Sequence, residues 1–442
     1  MVKGRLRLGG LWRHPDFMKF WIGETVSVFG ARVSNVAIPL AAALTLQATS
    51  AQMGILNAAQ FAPFLIITLF AGVWVDRRRR RPIMIWANVM RGLLLGLIPL
   101  IAWLGTLRMG HLYAVVFLLG VFQVLFDLAY QAYLPALVDR NQLVEGNSKL
   151  QTSYSAAEVG GPGLAGILVE LVTAPMAIIV NTVSYVVAAV TVLVIRKPEP
   201  EPEPDAVHRG LWREIADGFR IVYKNPYLLA VGGEAATYNL FGTALSTVYV
   251  LYATRDLAIQ PGMYGLIFSI GAVGALLGAM SAGWLAKRFG FGMAILGSMC
   301  VACTSFLLVP LASGHSSMNI VILGASFFFG GMGCAVSNVH VVTLRQAITP
   351  DRLLGRMNAS YRFVTYGAIP IGAMLGGALG EIIGLRATIL ASGIGILLSL
   401  LWVIFSPVPR LAQVPTEPWA LERQAAVAES GGGAGGDDGD HQ

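Results

Sequence analysis

Charge is what this chain has least of. Asp, Glu, Lys and Arg together make up 12% of its 442 residues, about half the share found in soluble domains, which excludes an ordinary water-soluble globule. Cysteine is nearly absent: Cys300, Cys303 and Cys334 all fall inside apolar runs, so no disulfide framework of the secreted kind is implied. Cys300 and Cys303 form a Cys-x-x-Cys, but without further ligands nearby it does not read as a metal or redox site. There is no HExxH pattern, no glycine-rich phosphate loop and no separate soluble domain, so zinc proteolysis and ATP hydrolysis lack their residues. Neither an enzyme nor a cofactor is expected. The opening MVKGRLRLGGLWRHPDFMKF is basic but has no short apolar core followed by a cleavage site, so the first long apolar run reads as retained.

Oil is abundant instead: 55% of the residues are hydrophobic, and runs of about 20 of them recur along the whole chain. They read as twelve membrane helices, at about 17 to 45, 53 to 75, 83 to 105, 111 to 137, 150 to 170, 174 to 195, 227 to 253, 262 to 286, 290 to 312, 318 to 344, 359 to 381 and 385 to 405. The loops facing the termini would carry Lys3, Arg5, Arg7, Arg13, Lys19, Arg77 to Arg81, Arg140, Lys149, Lys287, Arg288, Arg345, Arg352 and Arg356, against Arg108, Arg255 and Arg386 on the other side. Basic residues stay cytoplasmic, which places both termini in the cytoplasm of a bacterial-type cell, the chain being integral to its inner membrane. The run of five arginines in GVWVDRRRRRP then lies in a short loop between helices 2 and 3, where it sets topology and meets anionic headgroups of the lipid bilayer. A loop so short presents no broad basic face, and no nucleic-acid partner is expected.

The chain repeats itself. Gly72 to Arg77 (GVWVDR) matches Gly283 to Arg288 (GWLAKR), His14-Pro15 matches Asn225-Pro226, and Asn147 matches Asn358, each at an offset of 211; Gly23-Glu24 matches Gly233-Glu234 at 210. Two related six-helix halves with parallel topology follow, a plan suited to transporters that rock two bundles about a central cavity. The expected layout is a cytoplasmic segment 1–16, an N-terminal bundle 17–195, a cytoplasmic linker 196–226, a C-terminal bundle 227–405 and a disordered tail 406–442. The linker opens with a Pro-Glu alternation, an extended spacer. Leu211, Trp212, Ile215, Phe219, Ile221 and Val222 then follow at near-helical spacing, as in an interfacial amphipathic helix.

These features resemble the major facilitator superfamily, and in particular its drug/proton antiporters of the macrolide-efflux type, over about residues 15 to 405. Gly72, Asp76, Arg77, Arg80 and Arg81 resemble the superfamily's Gly-x-x-x-Asp-Arg-x-Gly-Arg-Arg signature, with Arg79 standing where that signature has glycine. The resemblance implies an all-α fold of two pseudo-symmetric six-helix bundles, a cytoplasmic latch formed by those residues, and a monomer that exports hydrophobic or amphipathic small molecules in exchange for protons. Export of an endogenous metabolite such as a siderophore or a lysolipid, or uncoupled carriage, is the alternative. In helix 5, Gly161, Pro162, Ala165 and Gly166 resemble the antiporter signature ending Gly-Pro-x-x-Gly-Gly, with Ser148 and Ala157 in place of earlier glycines. A small-residue face and a proline bend there suit gating.

An ionisable side chain costs at least about 2.5 to 3.5 kcal/mol at a membrane helix centre, so each one needs a partner, a cavity or a function. The candidates are Glu24, Arg32, Arg91, Asp127, Glu158, Glu234 and His340. At about 1.5 Å per residue, Arg91 and Asp127 sit level, which predicts an ion pair with a structural or gating role. Glu24, Glu158 and Glu234 each fall about 12 Å deep, level enough to line one cavity and suited to proton coupling, with a satisfied packing role as the other reading. Arg32 is read as the counter-ion of Glu24 or an anchor for an anionic substrate. His340 is read either as a titrating group or as an ordinary hydrogen-bonded histidine.

Overall fold

Four helix starts, in two pairs, show how local chemistry sets the architecture. His14 lies in an extended conformation and its Nδ1 accepts from the Phe17 N–H at 3.0 Å, with Pro15 in the first turn. Asn225, 211 residues later, accepts from Tyr227 and Leu228 at 3.0 and 3.2 Å, with Pro226 in the same place. A side-chain cap satisfies N–H groups that the helix cannot, and proline is preset for the first helical position. The HP and NP pairs of the repeat are therefore two copies of one helix start. The third helices also begin 211 apart, at Arg80 and Phe291. Each is closed by the segment that follows its half's sixth helix. Glu199 accepts from the Arg80 and Arg81 N–H groups at 2.6 and 3.0 Å, whereas the carbonyls of Ala412 and Leu411 accept from Phe291 and Gly292 at 3.2 and 2.7 Å.

The computed structural model describes residues 10–76, 78–139, 142–199, 220 and 222–415, and every regular element among them is helical. The N-terminal half contains α1 (Pro15–Leu40), α2 (Ser50–Asp76), α3 (Arg80–Trp103), α4 (Met109–Leu137), α5 (Leu143–Val172) and α6 (Ala174–Leu193). The C-terminal half contains α7 (Pro226–Leu251), α8 (Pro261–Phe289), α9 (Phe291–Leu311, its last turns 3₁₀), α10 (Met318–Ile348), α11 (Asp351–Ile382) and α12 (Leu385–Ile404). Eleven of these are apolar and long enough to span a membrane. The twelfth, α7, has 26 residues and carries Glu234, Asn239 and several hydroxyls. It matches α1 in position and cap.

Three borders differ from those read in the sequence. Helix α5 starts at Leu143, α10 continues to Ile348, and α11 starts at Asp351. The break between α10 and α11 comes from Thr349-Pro350: the residue before a proline is driven out of the α region, and Thr349 has ψ 124°. The expected amphipathic helix near 211–222 falls mostly outside the described residues.

Within the first half, α1 packs on α5 and α6, α4 on α2 and α3, and α3 on α6; adding six to each number gives the second half's main packing. The ends of α1 and α7 repeat as well. Each closes in a π turn, Ala41–Thr45 and Tyr252–Asp256, followed by a residue at positive φ, Gln47 at 51° and Ala258 at 49°. The halves meet through α2 on α11 and α5 on α8. Leu93, Leu100, Val183, Val190, Ile371 and Leu398 are exposed on the outside of the bundles, as expected where lipid is the solvent.

Candidate functional site

The bundles are zipped together on the side away from the chain ends. There, a Cβ on Gly54 would fall 2.8 Å from the Ala373 carbonyl, and one on Gly377 2.8 Å from the Ser50 carbonyl. Across the other contact, Gly166 lies directly against the Pro261 carbonyl and Gly265 against the Pro162 carbonyl. Hydrogen bonds cross the same seam: Asn57 Nδ2 to Thr247 Oγ1 at 3.0 Å, Gly163 N to Ser269 Oγ at 3.0 Å, Gly262 N to Glu170 Oε2 at 3.1 Å, and Arg255 Nη2 to the Ala48 carbonyl at 2.9 Å. Pro162 and Gly166 thus sit in the seam itself. Gly161 faces the other way and makes room for Arg32.

On the side of the chain ends the bundles part around two cavities. One, of about 380 Å³, lies between α2, α4 and α11 and includes Phe64, Thr68, Asp127, Gln131, Arg362 and Tyr366. The other, of about 430 Å³, is enclosed by α7, α9, α10 and α11 and includes Glu234, Tyr238, Asn338, Arg345, Tyr361 and Arg362. Arg362 and Tyr366 belong to both.

In the N-terminal bundle the charges form a relay. Arg91, 2% exposed, donates through Nη1 to Gln123 Oε1 at 2.6 Å and through Nη2 to Asn88 Oδ1. Gln123 Nε2 passes the link on to Asp127 Oδ1 at 2.7 Å. The guanidinium also lies over the rings of Phe126 and Tyr185, 4.1 and 4.5 Å from their centroids. The expected direct Arg91–Asp127 ion pair is therefore replaced by a bridge through Gln123, one helical turn before Asp127, which leaves Asp127 at the cavity wall. Glu24 is buried, its Oε1 has no hydrogen-bond partner, and the charges that act on it are Arg91 and Asp127.

Arg32 pairs with Glu158 rather than with Glu24, and stacks on Tyr154 at 4.9 Å. The close approach of α1 to α5 at Gly161 brings those two side chains together. Glu234 lies apart from the other acids, in the C-terminal cavity, buried and with no hydrogen bond or ion pair among the described residues. The three glutamates hence do not share one wall. His340 is buried, its Nδ1 is 2.7 Å from the Val336 carbonyl, and its ring meets Phe291; this is the hydrogen-bonded alternative.

Of the signature after α2, Arg77 and the side-chain environments of Gly72 and Asp76 lie outside the described residues. Arg80 and Arg81 open α3, and Arg81 also donates to the Val192 and Leu193 carbonyls at 3.2 and 2.7 Å, fastening α3 to the end of α6. A cation at a helix C-terminus satisfies free carbonyls and complements the dipole.

Sequence reading missed Arg345 and Arg362. Ending α10 at 344 puts Arg345 in a loop; Pro350 is the signal that the helix runs further. Gln123 was missed too, although its i−4 spacing from Asp127 marks it as a neighbour on the same helix face.

Two pseudo-symmetric six-helix bundles, sealed at one end and parted around membrane-embedded charges at the other, define a secondary transporter of the major facilitator superfamily. Residues 11–433 match the family described as "Transmembrane secretion effector", and the chain belongs to that family. It is 27% identical over 429 residues to the enterobactin exporter EntS of Escherichia coli O1:K1 / APEC, covering 94% of this chain and 98% of that protein. Among solved structures it is similar in fold to the nucleoside transporter NupG, with a TM-score of 0.70 and 10% identity over 88% of this chain and 98% of that one. It is also similar to a bacterial homologue of the iron transporter ferroportin in an inward-facing state, with a TM-score of 0.69 and 18% identity over 88% and 98% of the two chains.

Proposed function

We propose that this protein exports an endogenous amphipathic metabolite of the siderophore type from the cytoplasm, by alternating access and in exchange for protons. The observation that carries the reading is the opposition of a sealed seam on one side to two cavities on the side of the chain ends, one largely apolar and one lined by two arginines and a glutamate. Basic residues crowd that same side, which supports a cytoplasmic location for it and makes the arrangement an inward-open, loading state. Drug efflux becomes the second reading. Similarity to an enterobactin exporter over nearly the whole chain favours a metabolite, and so does a cavity holding two arginines and a glutamate rather than grease alone.

Asp127 and Glu234 are the coupling candidates, because each stands at a cavity wall. A carboxyl group that is wet in one state and dry in the other is suited to loading and releasing a proton. Glu24 backs the relay from the buried side. Pro162 and Gly166 act at the outer gate, Gly161 seats Arg32 behind it, and the residues from Gly72 to Arg81 latch the cytoplasmic ends when the cavity closes inward. Both cavities are built from one chain, so a monomer suffices.

The test is reconstitution of the full chain in proteoliposomes loaded with a catechol-type siderophore. An imposed proton gradient should drive it uphill, and Asp127→Asn should reduce uphill movement at least tenfold while sparing downhill exchange. No gradient-driven movement of any metabolite, together with unchanged metabolite secretion in cells lacking the gene, would overturn the reading.

A further inference from the structure

Among the described residues, the C-terminal cavity holds two guanidinium groups and one carboxyl group, and none of them is ion-paired. Arg345 projects from α10 and Arg362 from α11, and neither has a carboxylate within 4 Å among the described residues. Arg345 lies flat on Tyr361, 3.9 Å from the ring centroid, and its Nε, like that of Arg91, is buried without an acceptor. Two arginines of the N-terminal bundle are treated differently. Arg32 meets Glu158, and Arg91 is held by Asn88 and Gln123, which leads to Asp127. Glu234 shares the cavity but forms no ion pair with either arginine. A part-buried guanidinium with no carboxylate to meet it, as at Arg345, is costly inside a membrane protein unless an anion arrives.

The aromatic lining adds a second requirement. Tyr238, Tyr361 and Tyr366 face the same space, and the Tyr238 hydroxyl is already engaged with Cys334 Sγ at 2.9 Å, which presents its ring more than its polar end. A cavity of about 430 Å³ is within the range that encloses a small ligand.

We propose that this cavity is a subsite for an aromatic acid, its anionic group held between Arg345 and Arg362 and its ring against the tyrosines. The inference rests on the exporter reading and names the chemical class of cargo that the same cavity accepts. Planar guanidinium groups bind carboxylate and similar oxyanions in two-pronged fashion, and an aromatic wall selects a ring attached to that group.

The experiment uses the full-length protein in lipid nanodiscs and three probes of one shape: 1-naphthoate, 1-naphthamide and 1-naphthylmethylamine, titrated by calorimetry. The carboxylate should bind at least tenfold more tightly than either of the others. Arg345→Gln and Arg362→Gln should each weaken the carboxylate at least tenfold and leave the amide unchanged, while Arg108→Gln, at an exposed position outside the cavity, should change nothing. Should Arg345→Gln fail to fold, the exposed Arg362 decides the matter alone. Equal binding of acid and amide, no binding of any probe at millimolar concentration, or wild-type affinity in both glutamine variants would overturn the subsite. Preference for the amine would overturn it while leaving export standing; loss of the secretion phenotype alone strikes at the exporter reading and not at the cavity's charge preference.

Discussion

In the N-terminal bundle Arg91, Gln123 and Asp127 form a continuous hydrogen-bonded line. In the C-terminal bundle the positions 211 residues on are Ala302, Cys334 and Asn338, and all three line the larger cavity. An alanine in place of an arginine, and a thiol in place of an amide, remove both the charge and the bulk that would fill the space. The C-terminal arginines stand elsewhere, on α10 and α11 at the rim. Duplication supplies two frames; divergence of one ancestral core at three aligned positions leaves a hydrogen-bonded line of polar side chains in one half and a cavity in the other.

The contrast is broken most directly at Arg91. Removing one member of a buried polar network leaves the others unpaired, so Arg91→Leu should cost about 3 kcal/mol, read as the shift in an SDS unfolding titration, while Arg345→Gln should cost far less and instead impair binding. Equal destabilisation by the two would show that the bundles do not differ in this way. A smaller effect comes from giving the hollow half its partner's acid. Asn338 lies two helical turns before Arg345 on the same face of α10, so Asn338→Asp should supply an internal counter-ion and weaken 1-naphthoate binding by about 1 kcal/mol, roughly fivefold. Tighter binding would reverse the assignment. The smallest effect lies at the third helices, where Glu199 closes α3 but backbone carbonyls close α9. Glu199→Ala should lower stability by about 1 kcal/mol, seen as a drop in melting temperature; an unchanged melt would mean that water replaces the cap without loss.

Hydrophobic run length, the 211-residue offset and the basic loops were enough to read the twelve-helix plan, because membrane spans must satisfy their own backbone groups and so announce themselves by length. The site was legible only in part. Run length treats Arg345 as a terminator, although an arginine can continue a helix when the wall it faces is polar. Depth along the helix placed Arg91 level with Asp127, but depth does not report rotation about the axis, and rotation is what inserts Gln123 between them. The same ambiguity pairs Arg32 with Glu24, eight residues earlier on α1, whereas its side chain turns toward α5 and Glu158.

The seam that seals the far side is made largely of glycine against carbonyl oxygen. Surfaces of this kind have almost no rotamers to freeze when they close and few apolar side chains to wet when they part. Separation then demands little work per contact, and the balance between the two access states rests on the handful of crossing hydrogen bonds from Asn57, Gly163, Gly262 and Arg255. A carrier zipped by bare backbone can be turned over by the binding energy of a small ligand.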